Sequence, residues 1–146
     1  MIENDWKEAM KQMESIRLFS SLYVRKSKKG AVASAQEVDA LFRIALTEVP
    51  MTPHLLSQSM GVSKTIVSRL IENLTSKAYV EKRYNMEDKR SYHLCITEEG
   101  RKQLDLLCHY YLDPLYELEK KLGEEPFAEL IRLIQAANHQ SQEEFI

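Results

Sequence analysis

The sequence predicts a mainly α-helical chain with one small β-hairpin, set between a compact run of short helices and long helices at both ends. Three observations predict it. Apolar residues recur at three-to-four spacing over most of the chain. Capping residues stand where those periodic stretches begin. One stretch, residues 79–96, switches instead to β-rich and alternating residues around a polar turn.

Residues 3–29 read as a long amphipathic helix. Trp6, Met10, Met13, Leu22 and Tyr23 form its stripe, with Ile16 and Phe19 between them. Arg25, Lys26, Lys28, Lys29 and Gly30 then supply the cations and the glycine that suit a helix C-terminus. Ser34 and Glu37 form a capping box that opens a second helix. Its inward residues are Val38, Leu41, Phe42 and Ala45, and Pro50 marks its end. Thr52 followed by Pro53 starts a short helix through Leu55, Leu56 and Met60, which Gly61 stops. Ser63 caps the next helix, striped by Ile66, Val67, Leu70, Ile71 and Leu74. The link between these two helices is so short that they must cross steeply. Tyr79–Tyr84 and the alternating Tyr92, Leu94 and Ile96 form the hairpin around Asn85, Met86, Glu87 and Asp88. Thr97 caps a further long helix with Leu104, Leu107, Tyr111, Leu115, Leu118 and Leu122 in one stripe. Pro114 lies inside it and is expected to bend it, since proline has no amide proton for the Tyr110 carbonyl. Gly123 separates a last helix carrying Phe127, Leu130, Ile131, Ile134 and Ala137.

The chain of 146 residues suits one domain with helical extensions. No apolar run is long enough to span a bilayer and no secretory leader is evident, so a cytoplasmic protein without membrane contact is expected. Two cysteines, Cys95 and Cys108, make neither a disulfide framework nor a four-thiolate zinc site. The net charge of −2 conceals an asymmetry. Residues 51–103 hold nine Lys/Arg against six Asp/Glu, whereas residues 104–146 hold three against nine. A basic middle is the footprint of a surface that meets a polyanion, although such a fluctuation alone is more often plain solvated surface.

Residues 53–72 fit a helix-turn-helix: Ser57 is the small residue, Gly61 the turn, and Leu56, Met60, Val62, Val67 and Leu70 the apolar lock. The outward face of its second helix is then Ser63, Lys64, Thr65, Ser68, Arg69 and Glu72. Hydroxyl and cationic groups of this kind suit phosphate oxygens and base edges. Residues 79–100 look like the wing of a winged helix-turn-helix. The stretch Asp88–x–Arg90, then Leu94, Ile96–Thr97 and Gly100, resembles the signature of the multiple antibiotic resistance regulator (MarR) family. The resemblance extends over the whole chain, including its length, the long first helix and the two closing helices. Ala78 departs from it, since the family commonly has glycine between the recognition helix and the strand.

The resemblance implies a winged helix-turn-helix at residues 34–97, flanked by dimerisation helices at 1–33 and 98–146. It implies a homodimeric regulator of transcription, most simply a ligand-responsive repressor, that binds double-stranded DNA at pseudo-palindromic operators. Ser63, Lys64, Thr65, Ser68 and Arg69 would meet the major groove. Arg90 would enter the minor groove, aimed by a forked pair with Asp88. Arg83, Lys82 and Lys89 would contact phosphates. A small aromatic or anionic effector would sit where the winged unit meets the dimer helices, near Trp6, Met13, Phe42 and Tyr111, with Met10, Phe19 and Tyr110 close by. Each of these is by itself more often an ordinary core residue. The alternative is a winged-helix protein-interaction module or antirepressor with no direct DNA readout.

Other sites weigh less. His109 and Asp113 share a helix face, but two ligands are too few for a metal. His54 opens the helix-turn-helix, where it can meet a phosphate or simply be solvated. A redox role for Cys95 or Cys108 needs a low-pKa environment. No nucleophile–base pair, glycine-rich phosphate loop or paired carboxylates mark an enzyme, and no cofactor or metal is expected.

Overall fold

The computed structural model describes residues 2–144, with side chains described over residues 6–139. The order is α1 (Ile2–Tyr23), α2 (Ala35–Leu46), α3 (Pro53–Met60), α4 (Lys64–Ser76), β1 (Val80–Tyr84), β2 (Tyr92–Ile96), α5 (Glu98–Leu122) and α6 (Glu124–Glu144). The two strands form an antiparallel hairpin with Val80 opposite Ile96 and Tyr84 opposite Tyr92. Met51 adds a single bridge to Leu94, which fastens the α2–α3 connection to the wing. This is the helical chain with one hairpin that the periodicity predicts.

Local chemistry sets most boundaries. Ser34 and Glu37 make the capping box of α2, each satisfying the other's backbone amide. Thr52 caps α3 ahead of Pro53, Ser63 caps α4, and Thr97 caps α5 through Gly100. Gly61 ends α3 with φ at 65°, a conformation that favours glycine. The same conformation falls on Ala78, at φ 61°, between α4 and β1. A side chain there costs roughly 1–2 kcal/mol. The corner nonetheless closes, with Tyr79 N–H bonded to the Leu74 carbonyl at 3.0 Å.

Two expected boundaries shift. α1 ends at Tyr23 rather than at residue 29. The cationic residues that suit a helix terminus lie instead in a non-helical link, which is held elsewhere. Tyr110 Oη donates to the Lys26 carbonyl at 3.3 Å, Lys28 N–H donates to Tyr111 Oη at 3.4 Å, and Ala35 N–H donates to Ser27 Oγ at 2.8 Å. A continuing helix would withdraw these groups from their partners. Gly30, at φ 82°, turns within the link rather than capping the helix. α2 stops at Leu46, four residues before Pro50, where Thr47 takes an extended conformation. α5 is one element through Pro114, which is buried.

One core joins α2, α3, α4, the hairpin and the first half of α5. It includes Val38, Leu41, Leu56, Val67, Leu74, Leu94, Leu104 and Leu107. Gly100 brings α5 against the Tyr79 carbonyl so closely that a Cβ there would collide with it. The terminal helices differ. Met10, Met13, Ile16 and Leu22 are exposed, and Trp6 is 55% exposed, so the α1 stripe faces solvent in the single chain. Leu133 and Ile134 of α6 are exposed as well.

Candidate nucleic-acid interface

α3 and α4 are locked as a helix-turn-helix from within. Ser57 Oγ donates to the Val62 carbonyl at 2.6 Å, across the turn made by Gly61. Leu56, Val67 and Leu70 are buried, while Met60 and Val62 are half-buried beside them. Arg43 of α2 pairs with Asp39 at 2.9 Å and also donates to Ser59, tying α2 to the end of α3. The lock turns one face of α4 outward: Ser63, Lys64, Thr65, Ser68, Arg69 and Glu72 are all exposed. That helix of 13 residues is about 20 Å long, enough to lie along a major groove.

The wing presents cations on a stiffened ribbon. Lys82 lies over the Tyr92 ring at 4.9 Å, and Tyr84 packs on Tyr92 with ring centroids 5.5 Å apart. Arg83 donates through Nε and Nη2 to one oxygen of Glu81, at 3.2 and 3.0 Å. This bond raises the Arg83 pKa further above its ordinary value, so the group is a cation throughout any working pH range. The tip is built by short polar bonds. Asn85 Oδ1 accepts from Glu87 N–H at 3.0 Å, and Asn85 N–H donates to the Ser91 carbonyl at 2.9 Å.

Asp88 and Arg90 do not form the expected fork. The carboxylate accepts the Arg90 backbone N–H at 3.0 Å, while the guanidinium reaches it only through Nε at 3.5 Å. The physical reason is the tightness of the turn: the Asp88 side chain satisfies the backbone two residues on, as aspartate commonly does. Arg90 is therefore placed chiefly by its backbone, and its side chain stays 94% exposed, with the one long Nε contact to Asp88. Lys89 beside it is exposed too.

α3, α4 and the wing meet at a cleft of about 400 Å³. Its lining includes Thr52, His54, Lys64, Ser68, Arg90, Ser91 and Tyr92. The structure thus brings Lys64, Ser68 and Arg90, three of the residues expected from sequence, to one concave surface. Thr65 and Arg69 stand on the same helix outside it, and Arg83, Asp88 and Lys89 stay on the ribbon. Ser91 and Tyr92 were not anticipated here. Both read as ordinary turn and strand residues, and only the closeness of the wing to α4 makes them part of the cleft.

The expected effector residues are distributed differently. Phe42 and Tyr111 pack against the core, whereas Trp6 and Met13 are exposed on α1. Tyr110 carries Arg25 over its ring at 4.6 Å and packs edge-on against Tyr111. Among the described residues, no three His, Cys, Asp or Glu side chains gather as a metal site, and His109 Nδ1 lies 3.9 Å from Asp113. Cys95 and Cys108 are free thiols, both half-buried. Among the described residues, no helix is long and apolar enough to cross a membrane.

No protein-family model matches the chain, and no curated protein does. Solved structures do. The MepR–DNA complex of S. aureus superposes with a TM-score of 0.72 at 15% identity, covering 88% of this chain and 96% of that one. A MarR/EmrR family transcriptional regulator from Acinetobacter sp. ADP1 gives 0.71 at 19% identity, covering 96% and 97%. FabT of Streptococcus pneumoniae in complex with DNA gives 0.61 at 20% identity, covering 98% and 96%. This chain has the MarR-type winged-helix fold. The likeness extends through the terminal helices, so the MarR-type architecture includes the arms as well as the central unit.

Proposed function

We propose that this chain is a DNA-binding regulator of transcription of the MarR type, acting as a homodimer and not as an enzyme. The observation that carries the reading is the cleft where Lys64 and Ser68 of α4 meet Arg90 of the wing. A rod and a ribbon that share one cationic, hydroxyl-rich concavity fit the adjacent grooves of a duplex. The α4 face of Ser63, Lys64, Thr65, Ser68 and Arg69 addresses the major groove. Arg90 addresses the minor groove, while Lys82, Arg83 and Lys89 meet phosphates. Asp88 holds the Arg90 backbone closely and its guanidinium only through the long Nε contact.

The exposed stripe of α1 supports the homodimer. Each apolar side chain covered by a partner contributes roughly 1.5–3 kcal/mol. Two copies related by a twofold axis then present their α4 helices to half-sites about 10 bp apart, or a multiple of that. Repression by occupying a promoter is the simplest consequence. An effector that favours a different separation of the two reading heads releases the operator by its differential affinity for the two states. Trp6 and Met13 of α1, with Phe42 and Tyr111, are the residues proposed to meet it, at the junction the second copy completes. Cytoplasmic residence follows from a DNA target.

Retention of the purified protein on random duplex DNA tests the reading. Binding should weaken as salt rises, with a logarithmic slope of about −0.9 for each phosphate contacted. A protein that passes through duplex DNA at low salt, yet is retained by an acidic protein surface, is an interaction module instead.

A further inference from the structure

α4 ends at a joint that both arms reach. Lys77 caps the helix, Ala78 turns the chain at φ 61°, and Tyr79 leads into the wing. From one side the start of α5 grips this corner. Thr97 N–H donates to the Tyr79 carbonyl at 3.0 Å, and Thr97 Oγ1 donates to the Ala78 carbonyl at 2.6 Å. From the other side, the link after α1 and the start of α2 grip Lys77. Its Nζ donates to the Val32 carbonyl at 3.0 Å and to both oxygens of Glu37, at 2.7 and 3.1 Å. The Glu37 side chain is 5% exposed and that of Lys77 is 30% exposed. Glu37 is the one charged residue that is buried among the described residues.

Neither helix needs this pair for its own ends. The capping box of α2 is complete with Ser34 and Glu37, and α4 is closed by Lys77 N–H on the Asn73 carbonyl. A buried ion pair is in general a weak source of stability, because desolvation offsets the attraction; its best-attested use is to fix one geometry over others. Here it joins two segments 40 residues apart in the chain. The link it holds is itself fastened to α5 through Tyr110 and Tyr111.

We infer that Lys77 and Glu37 are a positioning pair that fixes the direction of α4 relative to the dimer arms, so that the protein discriminates half-site spacing. This rests on the homodimeric DNA-binding reading above. One inserted base pair turns a half-site by about 35° and moves it by about 3.4 Å. A reading head whose joint is held from both sides resists that change. Without the pair, α4 stays seated in the core and on α5, but its C-terminal joint loses its hold on the link after α1 and can tilt further, with its DNA-facing surface intact.

The probe is a duplex selected by the wild-type protein from a random-sequence pool, then remade with one or two base pairs inserted or deleted at its centre. The wild type should lose on the order of tenfold in affinity for each change, comparable to one mismatched base pair. Lys77→Met and Glu37→Gln should flatten this loss while leaving the affinity for random duplex and its salt slope unchanged. Lys77→Arg should keep the wild-type preference. Glu37→Gln retains an acceptor for the Ser34 amide, so it reports on the pair even where Lys77→Met does not fold. Variants that melt earlier yet keep the full spacing preference overturn the inference and leave the pair merely structural. Equal losses on selected and random duplex, with a shallower salt slope, overturn it in favour of a phosphate contact by Lys77. A wild type that selects no duplex at all fails at the earlier step, the regulator reading itself.

Discussion

The winged unit and the first helix carry the same kind of apolar periodicity and meet opposite fates. In the unit, Leu41, Leu56, Leu74 and Leu94 are fully buried against one another's elements. In α1, Trp6, Met10, Met13 and Ile16 face solvent. The difference lies not in the residues but in what is available to cover them. α2, α3, α4 and the hairpin are joined by short links that fold them onto one core. α1 is separated from them by eleven non-helical residues and meets the rest chiefly along α5. A periodic stripe therefore announces a face, and topology decides whether that face is satisfied within the chain.

The contrast can be broken most forcibly in the unit. Leu41→Ala should cost about 2–5 kcal/mol, read as a lowered urea midpoint, because the cavity it leaves is enclosed. A loss below about 1 kcal/mol would mean that the core relaxes around the site. On the arms, Leu115→Asp should act on association instead. That side chain is 36% exposed in the single chain, and denying it a partner's cover should raise the dimer dissociation constant roughly 10–100-fold. A dissociation constant equal to that of the wild type in sedimentation would exclude it from the interface. Arg90→Ala separates binding from folding. Operator affinity should fall by about 1–3 kcal/mol with no change in melting temperature, since the side chain touches little of the protein. An unchanged gel-shift titration would remove Arg90 from the reading. The smallest effect sharpens the joint. Ala78→Gly relieves the left-handed strain and should stabilise the unit by up to about 1 kcal/mol, whereas a lower melting temperature would show that the Ala78 side chain adds to the packing.

The helix-turn-helix was legible because its determinants are local. Thr52 with Pro53, Gly61 and Ser63 each act within a few residues, and the structure uses all of them as caps or turns. The outward face of α4 followed from the same register. The wing was legible from alternation around Asn85–Asp88, but its internal bonding was not. Whether Asp88 serves the Arg90 guanidinium or its backbone depends on a turn geometry that two residue names do not specify. Cations and a glycine after Tyr23 also fit a helix terminus equally well at residue 23 or 29. Tyr110 and Tyr111, more than 80 residues away, decided it. Ser91 and Tyr92 belong to the cleft only because the folded ribbon lies beside α4.

By itself the amino-acid order determined which segments are helix, which are ribbon, and which side of α4 meets water, since caps, glycine turns and periodicity act over a few residues. Only the tertiary structure decided where α1 ends, that Lys77 reaches Glu37, and that α4 and the wing share one concavity. Those outcomes depend on groups tens of residues apart, whose proximity exists only after the core between them has closed.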